Sequence, residues 1–152
     1  MKLSYEEIFA NFLGNVTDYE FASLEKEDAY LQMTEWLHKA LAKTYIRRLF
    51  STLTFDDDVL VLDCTLIKVV DEDADKDFVT DVIAKGMIVE WLRPKVASTL
   101  SINQMFAGKE QKMFSQASHL NEIKDLYENT RLEMRKMIRD RGFVYNDYVE
   151  GS

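Results

Sequence analysis

Few side chains in this sequence are suited to covalent or metal chemistry. His38 and His119 are the only histidines and Cys64 the only cysteine. No spacing sets Cys64 against a histidine as a nucleophile and its base require. Because Cys64 sits in a β-branched run, its simplest role is that of a small buried apolar residue. Asp71, Asp73 and Asp75 open like a calcium loop, which would need Gly at the sixth position and Glu at the twelfth. Those positions hold Lys76 and Val82, so a solvated acidic loop capping a helix is the better reading. The chain lacks a phosphate-binding glycine loop, a G-x-S-x-G turn and an H-E-x-x-H helix. Neither a cofactor nor a metal is expected, and the chain does not read as an enzyme.

Charge is the more informative chemistry. The 152 residues carry 19 basic and 27 acidic side chains, a net charge of −8. Residues 1–108 hold 11 basic and 19 acidic groups, and residues 109–152 hold eight of each. A protein that grips nucleic acid shows a basic footprint, so weak or repulsive contact with DNA is expected. One basic cluster stands out: Arg131, Arg135, Lys136, Arg139 and Arg141, with 131, 135 and 139 on one helical face. It either complements a helix C-terminus or docks an acidic partner such as a neighbouring copy; direct DNA contact is the weakest option.

The elements that position these groups follow from periodicity and breakers. One proline and five glycines suit long helices. Ser4-Tyr5-Glu6-Glu7 has capping-box spacing and starts a short helix bearing Ile8, Phe9, Phe12 and Leu13, ended by Gly14. A second helix is expected over 25–43, its apolar stripe formed by Tyr30, Met33, Leu37, Ala40 and Leu41. A short helical piece over 45–49 could continue it. Residues 59–70, rich in Val, Ile and Thr, read as the one strand. Asp56-Asp57-Asp58 precedes it and an acidic run from Asp71 follows. Such a strand must form a hairpin or pair with another chain. A third helix is expected over 77–92, stopped or kinked by Pro94. Gly86 within it marks either a close helix crossing or a weak spot. After a polar connector over 98–112, a helix about 40 Å long is expected over 113–141. Gly142 ends it, and an aromatic tail containing Phe143, Val144, Tyr145 and Tyr148 follows. Lacking a helical face, those aromatics either anchor an interface or fold back on the core.

The expected fold is therefore mainly α: a helical bundle with a long C-terminal helix and a small β element. Residues 1–142 form one domain and 143–152 a docking tail. Met1 to Glu7 lack a signal peptide's apolar run, and no stretch reaches membrane-spanning length, so a soluble protein made in a reducing cytoplasm is expected. A 40 Å helix exceeds what so small a globule needs, so part of it should pack on a neighbour.

Three segments carry a family resemblance: Trp36 to Ala40, Met87 to Pro94, and Lys109 to Leu120. In series they resemble small neck-region proteins encoded near the capsid genes of tailed phages and prophages of Gram-positive bacteria. The likeness spans about residues 4 to 148. It implies a head–tail connector of the virion neck, a ring (typically of twelve copies, a dodecamer) beneath the portal protein. The ring would join the portal to an adjacent connector, stopper or tail-completion protein, and DNA would pass as non-specific cargo. The fold expected of such proteins is a helical bundle with a small β element, and a C-terminal segment that docks into the portal. On this reading Phe143, Val144, Tyr145 and Tyr148 are portal-docking anchors, with Arg135, Arg139 and Arg141 as polar partners. Asp56, Asp57, Asp58, Asp71, Asp73 and Asp75 would face the channel or the next ring. The alternative is a small acidic regulatory protein that binds a single host or phage protein.

Overall fold

The computed structural model describes residues 1–16, 25–106 and 112–143. In chain order these form β1 (Lys2–Ser4), α1 (Tyr5–Gly14), α2 (Lys26–Leu41), α3 (Thr44–Arg47), β2 (Phe50–Asp56), β3 (Val61–Leu66), α4 (Glu72–Phe106) and α5 (Lys112–Phe143). The protein is mainly helical with a small antiparallel sheet, as composition and periodicity implied.

The helix starts follow their capping chemistry. Ser4 Oγ accepts the Glu7 amide at 3.2 Å, satisfying one of the first-turn donors that an α-helix leaves open. Asp71 does the same for α4, accepting the Ala74 amide at 2.8 Å. Below Ser4, α1 buries Tyr5, Ile8, Phe9 and Phe12, whereas Leu13 is exposed. Phe12 stacks at 5.5 Å against Trp36 of α2 and edge-on at 6.3 Å against Trp91 of α4. These contacts join three helices through one ring.

The β element is larger than its sequence suggested. The strand expected over 59–70 is confined to Val61–Leu66 and is the centre of a three-stranded sheet ordered β1-β3-β2. It pairs within its own chain: Leu3 opposite Leu62 on one side, Leu53 opposite Cys64 on the other. Val59 and Leu60 lie in the hairpin turn, and residues 67–70 lie in the loop to α4. The strand ends where its partners end, because a backbone without a neighbouring ladder has nothing to pair with. Leu62, Cys64 and Leu66 alternate inward and are buried, the period-two pattern of a sheet with one wet face. At the turn, Leu60 adopts a left-handed backbone with φ 57, an unfavourable conformation for a branched side chain. Its carbonyl accepts the Tyr5 amide at 2.9 Å. Asp56 closes the turn by accepting the Asp58 and Val59 amides at 2.9 and 3.4 Å.

Helix α4 departs most from expectation. It runs for 35 residues with Pro94 inside it, so the helix does not stop at Pro94, and the described residues of the connector expected over 98–112 are helical. Residues 98–106 belong to α4, and α5 begins at Lys112. Proline removes one backbone donor, a local loss that a helix with favourable residues on both sides can absorb. Similarly, Gly142 lies within α5 rather than ending it. From Val82 to Leu92 every α4 residue except Lys85 is buried. A helix apolar around its circumference is a core helix, and the other elements cover it.

Gly86 is where α2 and α3 meet α4. A Cβ at this position would stand 2.7 Å from Ile46 Cδ1 and 3.1 Å from Ala40 Cβ, so the close-crossing explanation is correct. We expect Gly86→Val to lower stability by about 2 kcal/mol through overpacking. Adding Ile46→Val, which removes the nearest methyl, should restore part of that loss; urea denaturation of the single and double variants measures both.

Candidate functional site

Four arginines converge between α3 and α5. The turn after α3 places Arg48 opposite the exposed face of α5. Tyr45, Arg48, Arg131, Met134, Arg135, Ile138 and Arg139 line an open cleft of about 520 Å³. Met134 is buried in its floor, and the guanidinium of Arg131 lies 5.4 Å over the Tyr127 ring. Among the described residues, no carboxylate lies within 4.0 Å of Arg48, Arg131 or Arg135, and Arg139 reaches Asp140 only at 4.0 Å. The Tyr45 hydroxyl is held protonated, chiefly by burial and then by the Glu90 carboxylate, with Arg93 and Arg131 opposing. It remains a neutral donor at the cleft wall. Glu90 is buried between Arg93 at 3.2 Å and Lys43 at 3.7 Å, which fixes the segment carrying Tyr45 and Arg48 against α4.

A second cleft, about 320 Å³, adjoins the first. Arg48 and Ile138 line both, and Leu49, Leu66, Ile67, Lys68, Phe78, Arg141 and Gly142 complete its wall. Arg141 does not act here as a free docking residue. Its guanidinium donates to Asp75 and, at 3.2 Å, to the Lys68 carbonyl, while stacking 4.8 Å above the Phe78 ring. Its side chain is 11% exposed and that of Asp75 6%. Asp75 also accepts the Val70 amide at 3.0 Å. The expectation that Asp75 faces a channel and Arg141 a portal is therefore corrected: the two are partners in an internal strap. It ties the end of α5 to the start of α4 and to the loop before it, as a buried carboxylate requires a neutralising neighbour.

The other acidic residues have distinct placements. Asp58 and Asp73 are exposed. Asp56 and Asp71 are exposed and also close a turn and a helix start. Asp57 accepts the Tyr5 hydroxyl at 2.6 Å and lies 2.9 Å from His38 Nε2, and the His38 ring packs 4.8 Å from that of Phe55. This Tyr5–Asp57–His38 cluster pins the hairpin tip to α1 and α2. It was invisible in the sequence because its members lie far apart along the chain. The Tyr5 bond, offset in part by burial and aided by His38, holds the Asp57 carboxyl below its usual range. Burial pushes the Cys64 thiol up to about 11, so it stays protonated at neutral pH, as a buried apolar filler does.

Of the aromatic anchors, Phe143 is the last residue of α5, while Val144, Tyr145 and Tyr148 lie outside the described residues. Arg135 and Arg139 are exposed and face the first cleft. Arg48, their partner from across the fold, carried no local signal, since it is one basic residue beside a short helix. Among the described residues no group of three His, Cys, Asp or Glu side chains could hold a metal, and no helix is long and apolar enough to cross a membrane. The chain matches no model of a known protein family, no characterised protein and no solved structure.

Two outcomes follow from this geometry. Arg141→Met should destabilise the protein by about 3 kcal/mol, because it strands the Asp75 carboxylate; adding Asp75→Leu should recover most of that, as read by urea denaturation. Since the folded carboxyl of Asp57 is depressed, its contribution is present above the unfolded value near 3.8 and is lost as pH falls through the folded value. The gap in melting temperature between the parent and Asp57→Asn should therefore shrink on acidification from about pH 6 to about pH 3.

Proposed function

We propose that this chain is a non-enzymatic structural subunit of a tailed-phage neck, a head–tail connector that assembles with copies of itself and with the portal. The observation that carries the reading is surface left uncovered by the chain's own fold. Leu132 on α5 is 61% exposed, and Val59 at the hairpin turn and Ile67, Val69 and Val70 after β3 are 64%, 61%, 56% and 46% exposed. Isolated apolar residues on a surface are ordinary, but a run in one loop beside an arginine-lined cleft has the mixture of protein-binding surfaces. The resemblance of the Trp36, Met87 and Lys109 segments to phage neck proteins supplies the assembly in which such a surface would be used.

The mechanism on this reading is geometric. Each copy buries apolar area against two neighbours, and a heterologous contact closes into a ring. An acidic wall has low affinity for phosphate, so DNA would slide rather than bind. Phe143, Val144, Tyr145 and Tyr148 are the residues we assign to the portal side.

Mixing the purified chain with cognate portal rings and imaging the product by electron microscopy tests this. A ring of density added beneath the portal is expected, and Tyr145→Ala with Tyr148→Ala should remove it. A solitary monomer that leaves portals bare would instead favour the small acidic regulatory protein.

A further inference from the structure

The hairpin carries opposite charge at its two ends. Arg48 stands two residues before β2, and Leu49 and Leu66 at the hairpin base line the cleft adjoining the arginines. The tip, with Asp56, Asp57 and Asp58, closes the other end of β2. Six residue steps of strand separate Phe50 from Asp56, about 20 Å at a rise of about 3.3 Å per residue. The tip therefore cannot reach its own molecule's cleft.

The cleft has unmet demand for an acceptor. Three of its four guanidinium groups lack a carboxylate partner among the described residues. The tip has the matching supply: Asp58 is exposed, and its side chain makes no bond among the described residues. Asp57 spends one oxygen on Tyr5 and His38 and stays ionised. The turn is held rigid by Asp56 and by the Leu60 carbonyl, so little ordering is needed on contact. A chain of net charge −8 repels its own copies at long range, and a local complement of this kind is what association between them requires.

We propose that the Asp56–Asp58 hairpin tip of one copy seats in the arginine cleft formed by Arg48, Arg131, Arg135 and Arg139 of a second copy. This rests on the assembly reading above and names the contact that makes it.

Charge exchange tests the contact. Asp58→Lys leaves the turn-closing Asp56 in place, and Arg135→Glu with Arg139→Glu alters only exposed side chains. Each variant alone should self-associate about two- to fivefold more weakly than the parent in sedimentation equilibrium, the scale of an exposed ion pair. An equimolar mixture of the two should regain most of the parental association, because the unaltered tip of the arginine variant then faces the unaltered cleft of the Asp58 variant. Far-ultraviolet circular dichroism and melting temperature should stay unchanged in both. A parent that remains monomeric overturns the proposal, as does association indifferent to both reversals or a mixture that fails to recover. The size of the complex separates this from the neck reading. Charge-dependent association that stops at a dimer retains the contact and counts against the ring, whereas large assemblies blind to charge retain the ring and reject the contact.

Discussion

Helix α4 must be enclosed. Its residues between Val82 and Leu92 are apolar on nearly every side, and each such side chain gains about 1.5–3 kcal/mol on leaving water. One neighbour cannot cover a full circumference. The chain therefore wraps α4 with α1, α2 and α3, the buried face of the sheet, and α5. Gly86 sets the closest of these approaches, where the absent side chain admits Ile46 and Ala40.

Enclosure also decides where the polar groups end up. The two ends of the wall are tied by ions: Glu90 with Lys43 and Arg93 at one level, Asp75 with Arg141 at the other. Breaking such pairs is expensive because a charge is stranded, even where the intact pair adds little. What α4 does not need stays outside. Only Thr130 and Met134 of the described part of α5 are fully buried, so the helix offers a narrow inner stripe and a broad outer face. Arg131, Arg135 and Arg139 lie along this outer region, and the turn after α3 brings Arg48 to them. A cationic cleft on an acidic protein is thus a by-product of wrapping.

How much was legible depended on how far apart the interacting residues are. The mainly helical class, the Ser4 cap, the inward stripe of α2 and the burial of Cys64 were readable, since each rests on residues within a few positions or on one residue's size; at Gly86 the sequence left a close crossing and a weak spot open, and the contact with Ile46 and Ala40 decided for the crossing. The two outer strands were not. Lys2–Ser4 is too short to show a period, and Phe50–Asp56 is a polar edge strand whose exposed side chains give little alternation. Pro94 misled because its penalty is local, one lost backbone donor in a helix of 35 residues. Of the charged candidates, spacing grouped Arg131, Arg135 and Arg139 correctly. It misplaced Arg141 and Asp75, 66 residues apart, which satisfy one another.

The sequence alone determined the kinds of element, their apolar faces and the acidic balance, because helix and strand periods, caps and charge are properties of neighbours along the chain. Only the tertiary structure decided which charges are neutralised inside and which remain exposed. That outcome turns on which surfaces α4 recruits to exclude water, and the recruited surfaces come from opposite ends of the chain.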